Sequence, residues 1–222
     1  PQLGCAKEFE KYLVKNGIEC HTTIEDAKLM GCVAEAQVIA TTYSPSLIDI
    51  ISETNLVSNN LFAENLLKTI GKEITGVGCY DSARVAVNRF FESQGLSLVG
   101  YTQDDGSGLS RENYVSPRFF TKYYQMMMKS DTFAEYLESF PQPGEDRGTL
   151  KRVLKDEPTE VKERIYAKSG SLSCVKCYAG YVISAQGPIR FAILVNNGST
   201  SKMQSQIEGF MKELSVYAGK KK

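Results

Sequence analysis

The stretch from Ile165 to Asn196, IYAKSGSLSCVKCYAGYVISAQGPIRFAILVN, contains three segments rich in β-branched and aromatic residues. They predict strands over Ile165–Ser169, Leu172–Ser184 and Ile189–Asn196. Because Gln186-Gly187-Pro188 is a short turn sequence, we expect the last two strands to form an antiparallel hairpin.

Helical periodicity dominates the sequence on both sides of this stretch. It predicts helices over residues 5–16, 45–54, 60–70, 81–93, 117–127, 131–139, 148–155 and 202–217, with further strands over 35–42 and 96–101. Ser44-Pro45 and Ser116-Pro117 each predict an N-cap followed by proline in the first turn, and Gly71 predicts a helix end. Helices, then antiparallel strands, then a helix favour an α+β fold, an antiparallel sheet flanked by helices, in one domain over residues 1–222.

Composition excludes several classes of function. The 222 residues carry 26 basic and 26 acidic side chains without a basic stripe, so nucleic acid is not an expected partner. The only close cysteine pair, Cys174-x-x-Cys177, has no second pair after it, and His21 is the only histidine. We therefore expect neither a metal site nor a Ser-His-Asp triad, and no cofactor.

Three short strings contain the candidate chemistry. Lys168 near a strand end offers a fixed positive charge, Ser169 a hydroxyl donor, and Gly170 lets a ligand approach the backbone. If this strand lies at a sheet edge, it could accept an extended peptide as an added strand. On their own, Ser58 would be an N-cap and Asp105-Gly-Ser107 a turn.

Together the strings resemble a known family. Ser58-Asn-Asn60 and Lys168-Ser-Gly170 are similar to two of the three signatures of penicillin-binding proteins and β-lactamases. The wider sequence resembles the D-Ala-D-Ala carboxypeptidase/endopeptidase family, the low-molecular-mass class C penicillin-binding proteins, along nearly the whole chain. The segments that resemble it are Ser58–Glu64, Asp105–Arg111, Gly148–Leu150, Ala167–Leu172, Ala179–Tyr181 and Phe191–Asn197.

The resemblance implies a serine peptidase acting on the D-Ala-D-Ala end of peptidoglycan stem peptides, and acylated by β-lactams. It implies that Ser58 relays a proton, Asn60 binds the substrate amide, and Lys168 supplies positive potential for the terminal carboxylate. Ser169 would bind that carboxylate beside Gly170, and the Ser171 N–H would be half of an oxyanion hole. The resemblance also implies that Asp105 and Ser107 shape the wall of the site.

The chain departs from the family mainly because it lacks a suitable third signature, the Ser-x-x-Lys string that contains the nucleophile. Ser173-Cys-Val-Lys176 matches the pattern but falls in a predicted strand, where the two side chains would face opposite ways. Ser199-Thr-Ser-Lys202 matches too, but lies in the wrong order for the family. We therefore expect the chain to be the C-terminal portion of a longer enzyme, inactive alone, whose missing N-terminal portion is a possible partner.

A second hypothesis belongs to another class of function: a non-catalytic peptidoglycan- or partner-binding module that kept the pocket. The missing nucleophile motif favours it, whereas Lys168 and Asn60 fit both hypotheses. A β-lactamase or esterase fits the Asp105–Arg111 string poorly. The resemblance implies a periplasmic or cell-envelope location, although the chain shows no signal-peptide pattern.

Overall fold

The computed structural model describes residues 2–21 and 40–220 of two compact units, 1–44 and 45–222, and each unit is described by itself. In the first unit, helix α1 spans Gln2–Lys15, so it begins three residues before the helix predicted over 5–16 and ends one residue before its predicted end. Gly17 has a positive φ of 78°, as helix-ending glycines commonly do. The predicted strand over 35–42 lies largely outside the described residues, and residues 40–42 form no helix or strand. The single domain over 1–222 stays a prediction.

The second unit begins with three helices: α2 (Leu47–Val57), α3 (Asn60–Thr75) and α4 (Tyr80–Ser93). The Ser44-Pro45 cap prediction is wrong by two residues. Ser46 is the N-cap of α2, because its Oγ accepts from the Asp49 amide at 3.2 Å. Pro45 therefore precedes the helix and is not its first residue.

Gly71 does not end α3, as the sequence predicted, but lies buried within it. A Cβ at this position would stand 2.8 Å from the Ala83 amide nitrogen of α4, with the Ser82 hydroxyl at 2.7 Å. The glycine therefore permits the close packing of α3 and α4. The end of α3 comes at Gly76, which has a φ of 83°.

Short elements connect these helices to the main sheet. They are β1 (Tyr101–Thr102) paired with β2 (Tyr114–Val115), then α5 (Pro117–Met127) and α6 (Phe133–Glu138). Ser116 caps α5 and Pro117 is its first residue, as predicted. The strand predicted over residues 96–101 is wrong except at Tyr101, the first residue of β1, because residues 96–100 form a loop and a turn.

The helix predicted over residues 148–155 is wrong: this stretch forms consecutive turns. Leu154 has a φ of 52°, and its amide donates to the Glu208 side chain at 3.1 Å and not to a helical carbonyl. The apolar residues Leu150, Val153 and Leu154 of this stretch are buried because they pack into the core and not because they form one face of a helix. The short helix α7 (Thr159–Lys162) follows, in a stretch for which no helix was predicted.

The main sheet contains β3 (Ile165–Leu172), β4 (Val175–Ser184) and β5 (Gly187–Asn196), antiparallel in the order β3-β4-β5. Helix α8 (Thr200–Gly219) follows. Ser173 and Cys174 form the tight turn between β3 and β4, so Ser173 is not in a strand as predicted. No described helix is long and apolar enough to cross a membrane.

The two faces of this sheet have different neighbours. One face packs on α8, and its core includes Ile165, Ala167, Tyr178, Val182, Phe191, Ile207 and Met211. The other face carries an aromatic cluster built on Tyr124, Phe140 and Tyr181. The Tyr181 hydroxyl donates to the Tyr124 carbonyl of α5 at 3.1 Å, which satisfies a buried polar group. The α+β fold class is confirmed.

Candidate active site

Lys168 and Ser58, 110 positions apart in sequence, meet at the sheet. Lys168 Nζ donates to Ser58 Oγ at 2.9 Å and to the Ser169 carbonyl oxygen at 2.7 Å. Burial disfavours the charged ammonium and lowers the pKa of Lys168 to about 8. An amine with this pKa is mostly charged at neutral pH, yet can exchange a proton at modest cost.

Ser58 lies at the junction of α2 and α3, in a left-handed conformation with φ 58° and ψ 53°. Few non-glycine residues adopt this conformation, and those that do merit a functional explanation. The N-cap role belongs instead to Asn59, whose side chain accepts from the Phe62 amide at 3.1 Å. The exposed Ser58 hydroxyl is therefore left to face the Lys168 ammonium.

Asn60 is the first residue of α3, two positions after Ser58, and its side chain is exposed. Within residues 2–21 and 40–220, no hydrogen bond involves the Asn60 carboxamide. The structure thus groups Asn60 with Ser58 through the chain, and Ser58 with Lys168 through a hydrogen bond. The carboxamide is available to bind an amide of a ligand.

The other residues of the Lys-Ser-Gly string lie along the edge of the sheet. The Ala167 amide donates outward, to the Pro141 carbonyl, at 3.1 Å. Because backbone groups alternate along a strand, Ser169 and Ser171 direct their own N–H and C=O groups to the same outer side. Gly170 and Ser171 are exposed. Among the described strands β3 is at the edge, so this row of groups faces no neighbouring strand.

The side chains of Ser169 and Ser171 do not share the face of Lys168. Their cross-strand partners are Tyr178 and Lys176, which lie on the α8 side of the sheet, whereas Lys168 pairs with Ala179. The backbone groups of Ser169 and Ser171 therefore lie at the open edge of β3, close to Lys168. Their hydroxyls lie on the opposite face of the sheet from the Lys168 side chain. The Lys176 side chain also lies on the α8 side. Ser173 lines a cavity, described below, on the other side of the sheet, so the Ser173 and Lys176 side chains do not meet.

Asp105 organises its own loop. Its carboxylate accepts from the Gly108 amide at 2.7 Å, the Ser110 amide at 2.6 Å and Asn113 Nδ2 at 2.9 Å. Burial acts to raise the pKa of Asp105, but these hydrogen bonds outweigh it and the pKa is lowered. With its carboxylate saturated in this way, Asp105 is suited to hold a wall and not to exchange protons.

Glu64 holds this loop to α3, a role that the sequence did not predict. Its carboxylate accepts from the Gly106 amide at 3.2 Å and the Ser107 amide at 3.0 Å. Burial raises the pKa of Glu64, hydrogen bonds from Ser107 and Gly106 lower it, and the net change is downward. A Cβ on Gly106 would stand 2.5 Å from the Ala63 carbonyl oxygen, so the contact requires glycine. Glu64 belongs to the string Ser58–Glu64, but its spacing alone gave no sign of this role.

A cavity of about 1310 Å³ lies beside the Lys168–Ser58 contact. It is mostly apolar and includes Leu66, Leu67, Phe91, Phe119, Leu172 and Leu194, with Asp105, Ser110, Arg111 and Asn113 at a polar end. Ser58, Asn60 and Lys168 are not among its lining residues, although Thr54, Asn55 and Ala63 on either side of the α2–α3 junction are. The cavity therefore adjoins the candidate site and does not coincide with it.

A Lys-Ser-Gly edge strand facing a Ser-x-Asn helix junction, on a sheet between helices, defines the class of penicillin-binding proteins and β-lactamase-like folds. Within this class the chain belongs to the D-Ala-D-Ala carboxypeptidase 3 (S13) family, which residues 1–215 match.

Two curated relatives are D-alanyl-D-alanine carboxypeptidases. The chain is 32% identical to that of Actinomadura sp. (strain R39) over 219 residues, 95% of this chain and 40% of the relative. It is 28% identical to DacB of Haemophilus influenzae over 174 residues, 78% of this chain and 36% of the relative. The chain thus spans less than half the length of these relatives.

A solved structure shares the fold. It is penicillin-binding protein 4 from Haemophilus influenzae, complexed with a β-lactam, with a TM-score of 0.79 and 24% identity. The likeness covers 96% of this chain and 50% of that one.

Proposed function

We propose that this chain contributes the Lys-Ser-Gly edge and the Ser-x-Asn junction to a serine-type D-Ala-D-Ala carboxypeptidase/endopeptidase that acts on peptidoglycan stem peptides. The observation that carries the proposal is the 2.9 Å contact between Lys168 Nζ and Ser58 Oγ at an uncovered sheet edge. Two polar groups that the sequence separates by 110 positions meet where an extended peptide could bind. The family membership and the two carboxypeptidase relatives support this choice of reaction.

The substrate would bind in extended form along β3. The outward N–H and C=O groups of Ser169 and Ser171 would pair with the peptide backbone, as in other strand-addition complexes. The positive potential of Lys168 would attract the C-terminal carboxylate, which the Ser169 hydroxyl would reach around the strand edge. The Asn60 carboxamide would bind an amide on the opposite side. Gly170, without a side chain, would leave room for the peptide.

The reaction would be acyl transfer through a serine ester. A nucleophilic serine attacks the carbonyl of the penultimate D-alanine, and its proton passes through the Ser58–Lys168 pair to the departing amine. The Ser171 N–H would donate to the oxyanion, and one such donor typically lowers the barrier by about 3–4 kcal/mol. Water then hydrolyses the ester and returns the serine to its starting state. β-Lactams would acylate the same serine.

The nucleophile would come from an N-terminal portion of the same enzyme. The adjoining cavity supports this proposal, because about 1310 Å³ of mostly apolar space among the described helices and strands leaves room for a further packed element. The chain's coverage of 40% of the Actinomadura relative is consistent with it. The isolated chain would then have no covalent path and would be inactive. A periplasmic or cell-envelope location follows from the proposed substrate.

A fluorescent penicillin tests the proposal. The gene product that contains this chain with its upstream sequence, and the isolated 222-residue chain, are incubated with the reagent and separated on a denaturing gel. We expect covalent labelling of the longer protein, blocked by unlabelled penicillin, and none of the isolated chain. Labelling of the isolated chain would refute its inactivity. A longer protein that binds peptidoglycan but is never labelled would support the binding-module hypothesis.

A further inference from the structure

The segment Arg147–Thr149 grips the last turn of α2, immediately before Ser58. The Arg147 guanidinium forms an ion pair with the Glu53 carboxylate. The Thr149 amide donates to the Leu56 carbonyl oxygen at 2.9 Å. Carbonyls in the last turn of a helix lack intrahelical partners, so this bond satisfies a group that the helix leaves unpaired.

Gly148 makes this grip possible. It has a φ of 100°, and a Cβ at this position would stand 2.6 Å from Leu56 Cδ1 and 2.8 Å from the Leu56 carbonyl oxygen. Both the backbone conformation and the space exclude a larger residue. The backbone of the segment is therefore held directly against that of α2.

The same loop is also anchored to β3. The Pro141 carbonyl accepts from the Ala167 amide at 3.1 Å, one residue before Lys168. The Gly144 amide donates to the Leu150 carbonyl at 3.3 Å and closes the loop between its two anchors. Residues 141–150 thus join the two elements that present Ser58 and Lys168.

Resting on the proposed function, we propose that residues 147–149 are positioning residues that hold the Ser58 hydroxyl against the Lys168 ammonium. Ser58 ends α2 in a left-handed conformation, which adjacent structure must impose because it is intrinsically unfavourable. The grip on Glu53 and Leu56 fixes the turn that leads into it. Loosening this grip would displace Ser58 while leaving Lys168 in its strand.

A thiol reporter tests this positioning role of residues 147–149 without any need for catalysis. In a Ser58→Cys variant of the full chain, the nearby ammonium should stabilise the thiolate and lower the thiol pKa. Its alkylation by iodoacetamide is followed across pH, and peptide mass spectrometry separates this thiol from the native cysteines. Adding Lys168→Met shows the rate without the ammonium.

Adding Gly148→Ala should slow alkylation at pH 7 roughly three- to tenfold, toward the Lys168→Met rate, because the lost thiolate outweighs the gain in nucleophilicity. Gly187→Ala is the matched control. It makes the same change at a similar positive φ of 107°, at the start of β5, where nothing beyond the chain neighbours lies within 4 Å of the added Cβ. It should leave the alkylation rate unchanged. An equal effect of both substitutions would overturn the proposal.

If the Gly148→Ala chain does not fold, Glu53→Gln and Arg147→Gln replace it. Each should slow alkylation in the same direction, and the exchanged pair Glu53→Arg with Arg147→Glu should restore the rate. Folded variants that leave the alkylation rate unchanged would overturn the proposed positioning role.

In the longer enzyme, Gly148→Ala should lower kcat about 100-fold with a smaller effect on KM, as misplacement by about 1 Å can do. If Gly148→Ala slows alkylation of the Ser58→Cys thiol but the unmodified longer protein has no peptidase activity, the proposed function is refuted. The positioning role of residues 147–149 would still hold.

Discussion

The two faces of the main sheet show how one strand can serve stability and chemistry at once. On the α8 face, Ile165 and Ala167 are fully buried beside Met211 in an apolar core. On the opposite face, alternate residues of the same strand include Lys168, whose amine is only partly buried and meets a serine. The α8 face gains stability by excluding water completely, whereas the other face keeps a costly ammonium near a cleft. Substitutions on the two faces should therefore have separable effects.

The largest expected effect is on the reaction. Lys168→Met in the longer enzyme should lower the rate constant of acylation by β-lactam about 10³-fold, which is the scale for an essential electrostatic or acid–base group. Lys176→Met, on the neighbouring strand and the opposite face, is the control and should stay within about threefold, as expected for a residue outside the proposed reaction. Stopped-flow acylation kinetics measure both, and equal losses would erase the functional distinction between the faces.

The α8 face should respond in stability instead. Met211 is fully buried, so Met211→Ala should lower the free energy of unfolding by about 2–5 kcal/mol through lost burial and a cavity. Glu213→Ala on the exposed side of α8 should change it by less than about 0.5 kcal/mol. Urea denaturation gives both values. A comparable change at Glu213 would show that α8 does not hold the sheet as described.

Lys168 should itself reduce stability at neutral pH. Its pKa of about 8 in the folded chain lies below the ordinary value of 10.5, so the unfolded chain binds more protons between these values. The cost is fully present below pH 8 and fades as pH rises toward 10.5. Lys168→Met should therefore unfold at higher urea than the parent at pH 7, with a smaller difference at pH 10. A destabilised variant at pH 7 would contradict the burial argument.

The smallest expected effect concerns the loop that Glu64 holds. The lowered pKa of the Glu64 carboxyl gives stability that is present above its unfolded pKa of about 4.3 and is lost as pH falls through the folded pKa. Glu64→Gln should lower the urea midpoint at pH 7. The difference in urea midpoint between the variant and the parent should be smaller at pH 3. Glu73→Gln, at an exposed position farther along the same helix, should leave the urea midpoint at pH 7 nearly unchanged. An unchanged midpoint at pH 7 would remove Glu64 from the support of the site.

Local signals in the sequence predicted the framework well. The hairpin of β4 and β5 and the Ser116-Pro117 start of α5 depend on turn and cap chemistry that acts within a few residues. The family strings predicted a shared site, and Ser58 and Lys168 do meet. The roles of all the predicted site residues remain predictions, those of Ser58 and Lys168 included.

What the sequence did not reveal depends on long-range packing. Gly71 was predicted to end a helix because its partner, Ala83 of α4, is not evident from local spacing. The turns over residues 148–155 carry apolar side chains at helical intervals, but contacts with Leu56 and Glu208 determine their backbone. The left-handed conformation of Ser58 likewise depends on neighbours far away in sequence. These errors arise where tertiary contacts override local preference.

The bond between the Ala167 amide and the Pro141 carbonyl has a consequence for self-association. Exposed edge strands are templates on which further copies of a chain can pair and aggregate. Here the loop blocks the template at Ala167, and past that point β3 offers outward backbone groups only from Ser169 and Ser171. Two residues can hold the end of a short peptide, but they are too few to nucleate a shared sheet between copies.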